Sequence, residues 1–211
     1  MSWKLTVALT GVLCALVAWA RSADVEGGTA MWDLSRAGGF TAYVLAWAAV
    51  FTGVGVDTRF HPGVVSQTVL YEAHRMLATL VPGFALVHAF ALLLDPWVGF
   101  SVWDVLVPFV APFERWWTGL GVLALWAFVA VLVSTWGAGL IPFKVWRLLH
   151  YATYLVFALG LLHAIMTGSD TEHWPTHLLY SATVGALLGA VFVRLIANRW
   201  IAENRKAPGY H

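Results

Sequence analysis

Residues 69–94, VLYEAHRMLATLVPGFALVHAFALLL, decide the fold together with a second stretch, 146–167, WRLLHYATYLVFALGLLHAIMT. A membrane crossing takes about 20 apolar residues at about 1.5 Å rise per residue, and both stretches meet that length. Charge is confined to one end of each, at Glu72 and Arg75 in the first and Arg147 in the second. Both carry two histidines in otherwise apolar surroundings: His74 and His88, then His150 and His163. Backbone facing lipid has no water to satisfy it, so these segments are expected to be helices.

The rest of the chain has the same character. It is 60% hydrophobic and 11% charged, against about 45–50% and about 25% for soluble domains. Uncharged runs at 5–20, 37–56, 76–94, 116–143, 148–169 and 173–193 delimit six spans. Adjusted to helix limits, the predicted spans are about 5–20, 38–56, 69–94, 117–135, 146–167 and 177–197. Run 5–20 is the shortest, and Lys4 with the small residues near Ala18 and Ala23 also fits a cleavable signal peptide. It is read as a first helix, so the expected fold is an all-α bundle of six transmembrane helices in one domain, 1–211.

Lys and Arg mark the inner side of a membrane protein. With the N-terminus cytoplasmic, nine of the twelve lie inside: Lys4, Arg59, Arg75, Lys144, Arg147, Arg194, Arg199, Arg205 and Lys206. Arg21, Arg36 and Arg115 remain outside, with eight acids including Asp33, Asp95, Asp104 and Asp170. Both termini are thus expected in the cytoplasm, and the expected location is a bacterial inner (plasma) membrane. Trp97, Trp103, Trp116, Trp117, Trp136, Trp146, Trp174 and Trp200 fall at span ends, as an interfacial aromatic belt requires. The connection 95–116 is expected to lie in the interface or dip partway in, over the outer end of the bundle.

Several function classes drop out. A net charge of +1 supplies no field for a polyanion, so nucleic acid is not the partner. The lone Cys14 can form neither an internal disulfide nor a cysteine cluster. Gly53-Val54-Gly55 and Gly137-Ala138-Gly139 lack the strand–turn–helix setting of a dinucleotide fingerprint, and no nicotinamide or flavin domain is apparent.

An ionisable residue inside a membrane is by default a functional candidate. His74 and His88 are separated by about 21 Å along a helix axis, and His150 and His163 by about 19.5 Å. The third and fifth spans run parallel, so His74 is level with His150 toward the inner side and His88 with His163 toward the outer side. Two facing imidazoles at two depths is what two stacked b-type haems need, each iron taking an axial ligand from both sides. Azimuth fits less well: His74 and His88 differ by about 40° around the axis, His150 and His163 by about 140°. A bulge or local unwinding is expected, with Gly160 in the fifth span and Pro82-Gly83 in the third as candidates. A proton relay and a compact metal site are the other readings of these histidines.

The sequence resembles the ferric-reductase-like transmembrane family, the haem-bearing membrane domain of ferric reductases, NADPH oxidases and the membrane subunit of the bacterial periplasmic methionine-sulfoxide reductase system. The resemblance spans roughly 32–195 and rests on Trp32-Asp33-Leu34-Ser35-Arg36-Ala37-Gly38-Gly39, Glu72-Ala73-His74-Arg75 with His88, Leu120-Gly121, and Trp146-Arg147-Leu148-Leu149-His150-Tyr151 with His163. It implies two haem b cofactors, the inner held by His74 and His150 and the outer by His88 and His163. It also implies a cytoplasmic flavoprotein or quinol as electron donor and an acceptor across the membrane. The chain differs from oxidase and ferric-reductase members in lacking flavin and nicotinamide domains, and from the methionine-sulfoxide subunit in its complete second histidine pair.

Haem propionates need cations. Arg75, Arg147 and Lys144 flank the inner pair and Arg36 stands at the outer end of the second span, where few other cations exist. Phe157, midway between the ligands of the fifth span, is a candidate to pack between the macrocycles, or else simple core. His173 and His177, with Glu172, are a weaker candidate for an outer metal or acceptor site. The expected function is a di-haem b-type cytochrome subunit carrying electrons outward, an oxidoreductase component dependent on a partner. The alternative is a haem-free membrane protein, a proton-coupled transporter or assembly partner, with the histidines as relay groups.

Overall fold

The computed structural model describes residues 29–58 and 65–204, and these are helical with short connections. The helices are α1 (Thr29–Thr58), α2 (Gln67–Leu94), α3 (Val102–Leu106), α4 (Arg115–Trp136), α5 (Phe143–Thr167) and α6 (Trp174–Asn204). All but the five-residue α3 are long and apolar enough to cross a membrane. The chain is an integral membrane protein of the helical class. The first predicted span, 5–20, lies outside the described residues.

Four of the five spans match their predicted limits within three residues at the N-terminal end, whereas α1 starts nine residues earlier than the expected 38. The sequence limit was drawn at the charges of Asp33 and Arg36. Both are carried inside the helix, where Arg36 bonds Asp33 at 3.0 Å one turn away and pairs with Asp170 from another segment. An uncharged run marks what can cross a bilayer, not where a helix begins.

Helix ends follow local chemistry. Ser66 opens α2, its hydroxyl accepting the Val69 N–H at 3.3 Å. The helix stops before Asp95-Pro96, where proline cannot continue it, and the Asp95 carboxylate takes the N–H groups of Trp97 and Val98 at 2.8 and 3.1 Å. Pro82 is accommodated within α2.

α1 lies along α2, and α4 along α5; α1 also contacts α5 and α6, which joins the two pairs. Tyr43, Val54, Phe157, Tyr180 and Leu187 form the core of that junction. Tyr43 stacks on Phe157 at 5.5 Å, and its hydroxyl meets that of Thr183 at 2.6 Å. Trp47 donates to the Thr183 carbonyl at 2.9 Å. α2 and α5 make no extensive backbone contact among the described residues, and a cavity lies between them beside His88 and His163.

The connection 95–114 folds over one end of the bundle. Trp97 and Phe113 both meet the edge of Trp32, and Trp126 of α4 donates to the Leu106 carbonyl at 2.8 Å. Ala111 is buried and Phe109 packs against Gly119, where a Cβ would clash at 2.2 Å. Trp97, Trp103, Trp116, Trp136 and Trp174 are exposed at or beside helix ends, the arrangement of an interfacial belt.

Candidate functional site: two pairs of opposed histidines

The four span histidines meet two by two between α2 and α5. The rings of His74 and His150 lie 6.0 Å apart between centroids at 71°, and those of His88 and His163 lie 6.0 Å apart at 75°. The hydrogen bonds of His74, His88 and His163 run to other groups, so no hydrogen bond joins the partners of either pair among the described residues. An ion held between two imidazoles at about 2.0–2.1 Å, with each ring centre about 1.1 Å further out, places the centroids about 6.3 Å apart. Both pairs are within a few tenths of an ångström of that spacing.

Three of the four rings are oriented by one device. His74 Nδ1 bonds the Ala49 carbonyl at 2.8 Å, His88 Nδ1 that of Ser35 at 2.8 Å, and His163 Nδ1 that of Trp117 at 3.0 Å. Nδ1 must carry the hydrogen to donate to a carbonyl, which leaves Nε2 with a free lone pair. In each case the residue four positions after that carbonyl is glycine: Gly53, Gly39 and Gly121. A Cβ there would come within 3.1 Å of the His74 ring, 2.9 Å of His88 Nδ1 and 2.8 Å of His163 Nδ1. A helix carbonyl already accepts from the N–H four residues on, and only a missing side chain at that residue lets a second donor approach.

The register repeats along α1 and α2. Gly39 and Gly53 are fourteen residues apart, as are His74 and His88, so an antiparallel pair brings both glycines onto both rings. From sequence alone Gly53-Val54-Gly55 is only a failed dinucleotide motif, and Gly39 and Gly121 are only parts of a resemblance. The signal that would have found them is the equal spacing on neighbouring spans. Ser35 adds to it: buried, its hydroxyl lies 3.0 Å from His88 Nδ1 and donates to the His88 carbonyl at 3.1 Å.

The expected bulge in the fifth span is not present, since α5 is unbroken from Phe143 to Thr167. Gly160 faces open space, with nothing within 4 Å of a Cβ built there.

A cavity of about 260 Å³ adjoins the His88–His163 pair. Its walls are mainly apolar, with Phe40, Phe128 and Phe157 among them, and Arg36 and Asp170 stand in its lining. Arg36 donates from Nε to Asp170 at 2.8 Å and from a terminal nitrogen to the other oxygen of the same carboxylate. Phe157 is both cavity wall and junction core. Arg75 and Arg147 are exposed and line no part of this cavity: Arg75 bonds Glu72 at 3.3 Å and lies over Tyr71, and Arg147 donates to the Tyr151 hydroxyl at 2.9 Å. His173 and His177 are exposed, and among the described residues no group of three or more His, Cys, Asp or Glu side chains converges. Two ligands per centre suffice for a planar macrocycle that brings four nitrogens of its own.

Compared with protein-family models, with curated proteins and with solved structures, the chain matches none.

Proposed function

We propose that the chain is a di-haem b-type cytochrome subunit, passing electrons across the membrane from a cytoplasmic flavoprotein or quinol to an extracytoplasmic acceptor. The observation that supports it is the repeated histidine pair: rings opposed at 6.0 Å at two levels between α2 and α5. A lone structural histidine in a membrane needs one hydrogen bond. That role accounts for the bonded Nδ1 atoms. It does not account for two pairs of rings opposed at the same 6.0 Å spacing.

When bound, haem iron would supply reversible one-electron chemistry, and the protein supplies position and environment. His74 with His150, and His88 with His163, would hold one haem each. The carbonyls of Ala49, Ser35 and Trp117 hold three of these ligands in the ligating tautomer. Apolar walls around the His88–His163 pair keep water away. Arg36 has five N–H donors, of which three are used by Asp170 and Asp33, so two remain for a propionate. Arg75 and Arg147 are the corresponding cations beside the other pair. Phe157, midway between His150 and His163 in the chain and in the wall of the cavity, is the candidate to pack between the macrocycles.

Haem content tests this directly. Pyridine-haemochrome quantitation of purified protein is expected to return two haems per chain, and His88→Ala or His163→Ala is expected to leave one. A ratio near zero in folded protein would leave the haem-free relay reading in its place.

A further inference from the structure

The four histidines are not held alike. His74, His88 and His163 each give the Nδ1 hydrogen to a helix carbonyl across a glycine. His150 breaks the pattern: its Nδ1 is buried and has no hydrogen-bond partner among the described residues. The indole Nε1 of Trp146, one turn earlier on α5, is buried and likewise has none among them. That indole lies on the His150 ring at 5.0 Å and 23°, nearly parallel. In the ligating tautomer both orphan atoms are donors, so neither can satisfy the other.

The register explains the exception. His163 meets Gly121, and His150 stands thirteen residues before His163. Thirteen residues after Gly121, along the antiparallel α4, stands Ser134 in place of a glycine. Ser134 is buried and its hydroxyl is turned back onto its own helix, donating to Val131 O at 2.8 Å. α4 therefore offers His150 neither the missing side chain nor the carbonyl that α1 offers His74. The His74–His150 site has one oriented ligand and one that is not.

We propose that His150 is the exchangeable axial ligand, and that the His74–His150 site admits a small neutral iron ligand such as carbon monoxide on the His150 side while the His88–His163 site stays closed. This rests on the haem reading above. A hydrogen bond from the outer nitrogen of a metal-bound imidazole fixes its tautomer and orientation and raises its basicity, and losing such a partner costs about 10–100-fold in metal affinity. Three ligands have that partner and one lacks it, so an incoming ligand competes best at the one. In the exchange one iron–nitrogen bond breaks and one iron–carbon bond forms, with no electron gained or lost.

The experiment uses the full haem-loaded chain in detergent, reduced with dithionite and titrated with carbon monoxide. Haem content is measured on the same sample. The expected result is two haems per chain, of which one responds in the visible difference spectrum. The response should persist in His88→Ala, which keeps the His74–His150 site, and vanish in His74→Ala. Two haems with neither responding, with both responding alike, or with a response that survives His74→Ala would overturn the proposal and leave the cytochrome reading standing. A preparation without haem overturns both. Even if a variant fails to fold, the stoichiometry in the unmodified chain overturns the proposal when neither haem or both respond, and Trp146→Phe with His150→Ala, which act on the His150 side alone, then locate a single response.

Discussion

At the scale of the residue, an imidazole becomes a directed ligand only when one of its nitrogens is already committed. Gly39, Gly53 and Gly121 make that commitment possible, and their substitution tests it. Gly121→Ala would put a Cβ 2.8 Å from His163 Nδ1, and Gly39→Ala one 2.9 Å from His88 Nδ1, so each ring must move off its carbonyl. We expect haem affinity at the His88–His163 site to fall about 10–100-fold, the usual consequence of losing such a partner. The readout is haemochrome stoichiometry falling from two toward one. Gly185→Ala, on α6 and outside the cavity lining, is the control: nothing lies within 4 Å of its Cβ, and two haems should be retained. The histidines were legible in the sequence, since their rarity in apolar spans singles them out. The glycines were not, because a glycine is common in membrane helices and gains a specific role only when the neighbouring helix brings a ring against it.

At the scale of the element, α1 is tied to the connection between α5 and α6 by Arg36 and Asp170. The two side chains are 33% and 21% exposed, whereas Asp33, the other partner of Arg36, is 64% exposed. Asp170→Ala removes both oxygens of a two-pronged contact to a charged group, and we expect a loss of about 1.5–3 kcal/mol. Asp33→Ala breaks a solvated pair one turn away and should cost about 0.5 kcal/mol or less. Thermal unfolding in detergent would rank the two; equal effects would mean that the clamp does not join the elements. Span existence followed from apolar length alone, and the predicted N-terminal limits of α2, α4, α5 and α6 were within three residues, while α6 runs seven residues past the expected 197. The early start of α1 was not legible, because an uncharged run measures the apolar crossing and not the helix that extends beyond it. The unbroken α5 was missed for a separate reason: azimuth on an ideal helix ignores how far a histidine can reach.

At the scale of the whole molecule, the charge distribution bears on the direction of electron flow. With nine of twelve cations on one side of the predicted topology, the cytoplasmic face would attract an acidic electron carrier. In sealed vesicles of known orientation, reductant on the cytoplasmic face alone should reduce both haems, and an impermeant oxidant outside should reoxidise them. Reoxidation only from the cytoplasmic face would reverse the direction. Purified chain should not oxidise NADPH unaided, and rapid haem reduction by NADPH without added protein would remove the need for a partner.

The sequence by itself determined that this chain lives in a bilayer as helices, because length and hydropathy of a span are properties of consecutive residues and the bilayer imposes the same condition on all of them. It also determined which residues are chemically out of place there. Only the tertiary structure decided that the histidines pair at 6.0 Å, that three are turned by carbonyls across glycines, and that His150 is not. Those facts depend on the register between helices, on α1 against α2 and α4 against α5. Register is the sum of many weak packing contacts between residues far apart in the chain, and no single stretch of sequence contains it.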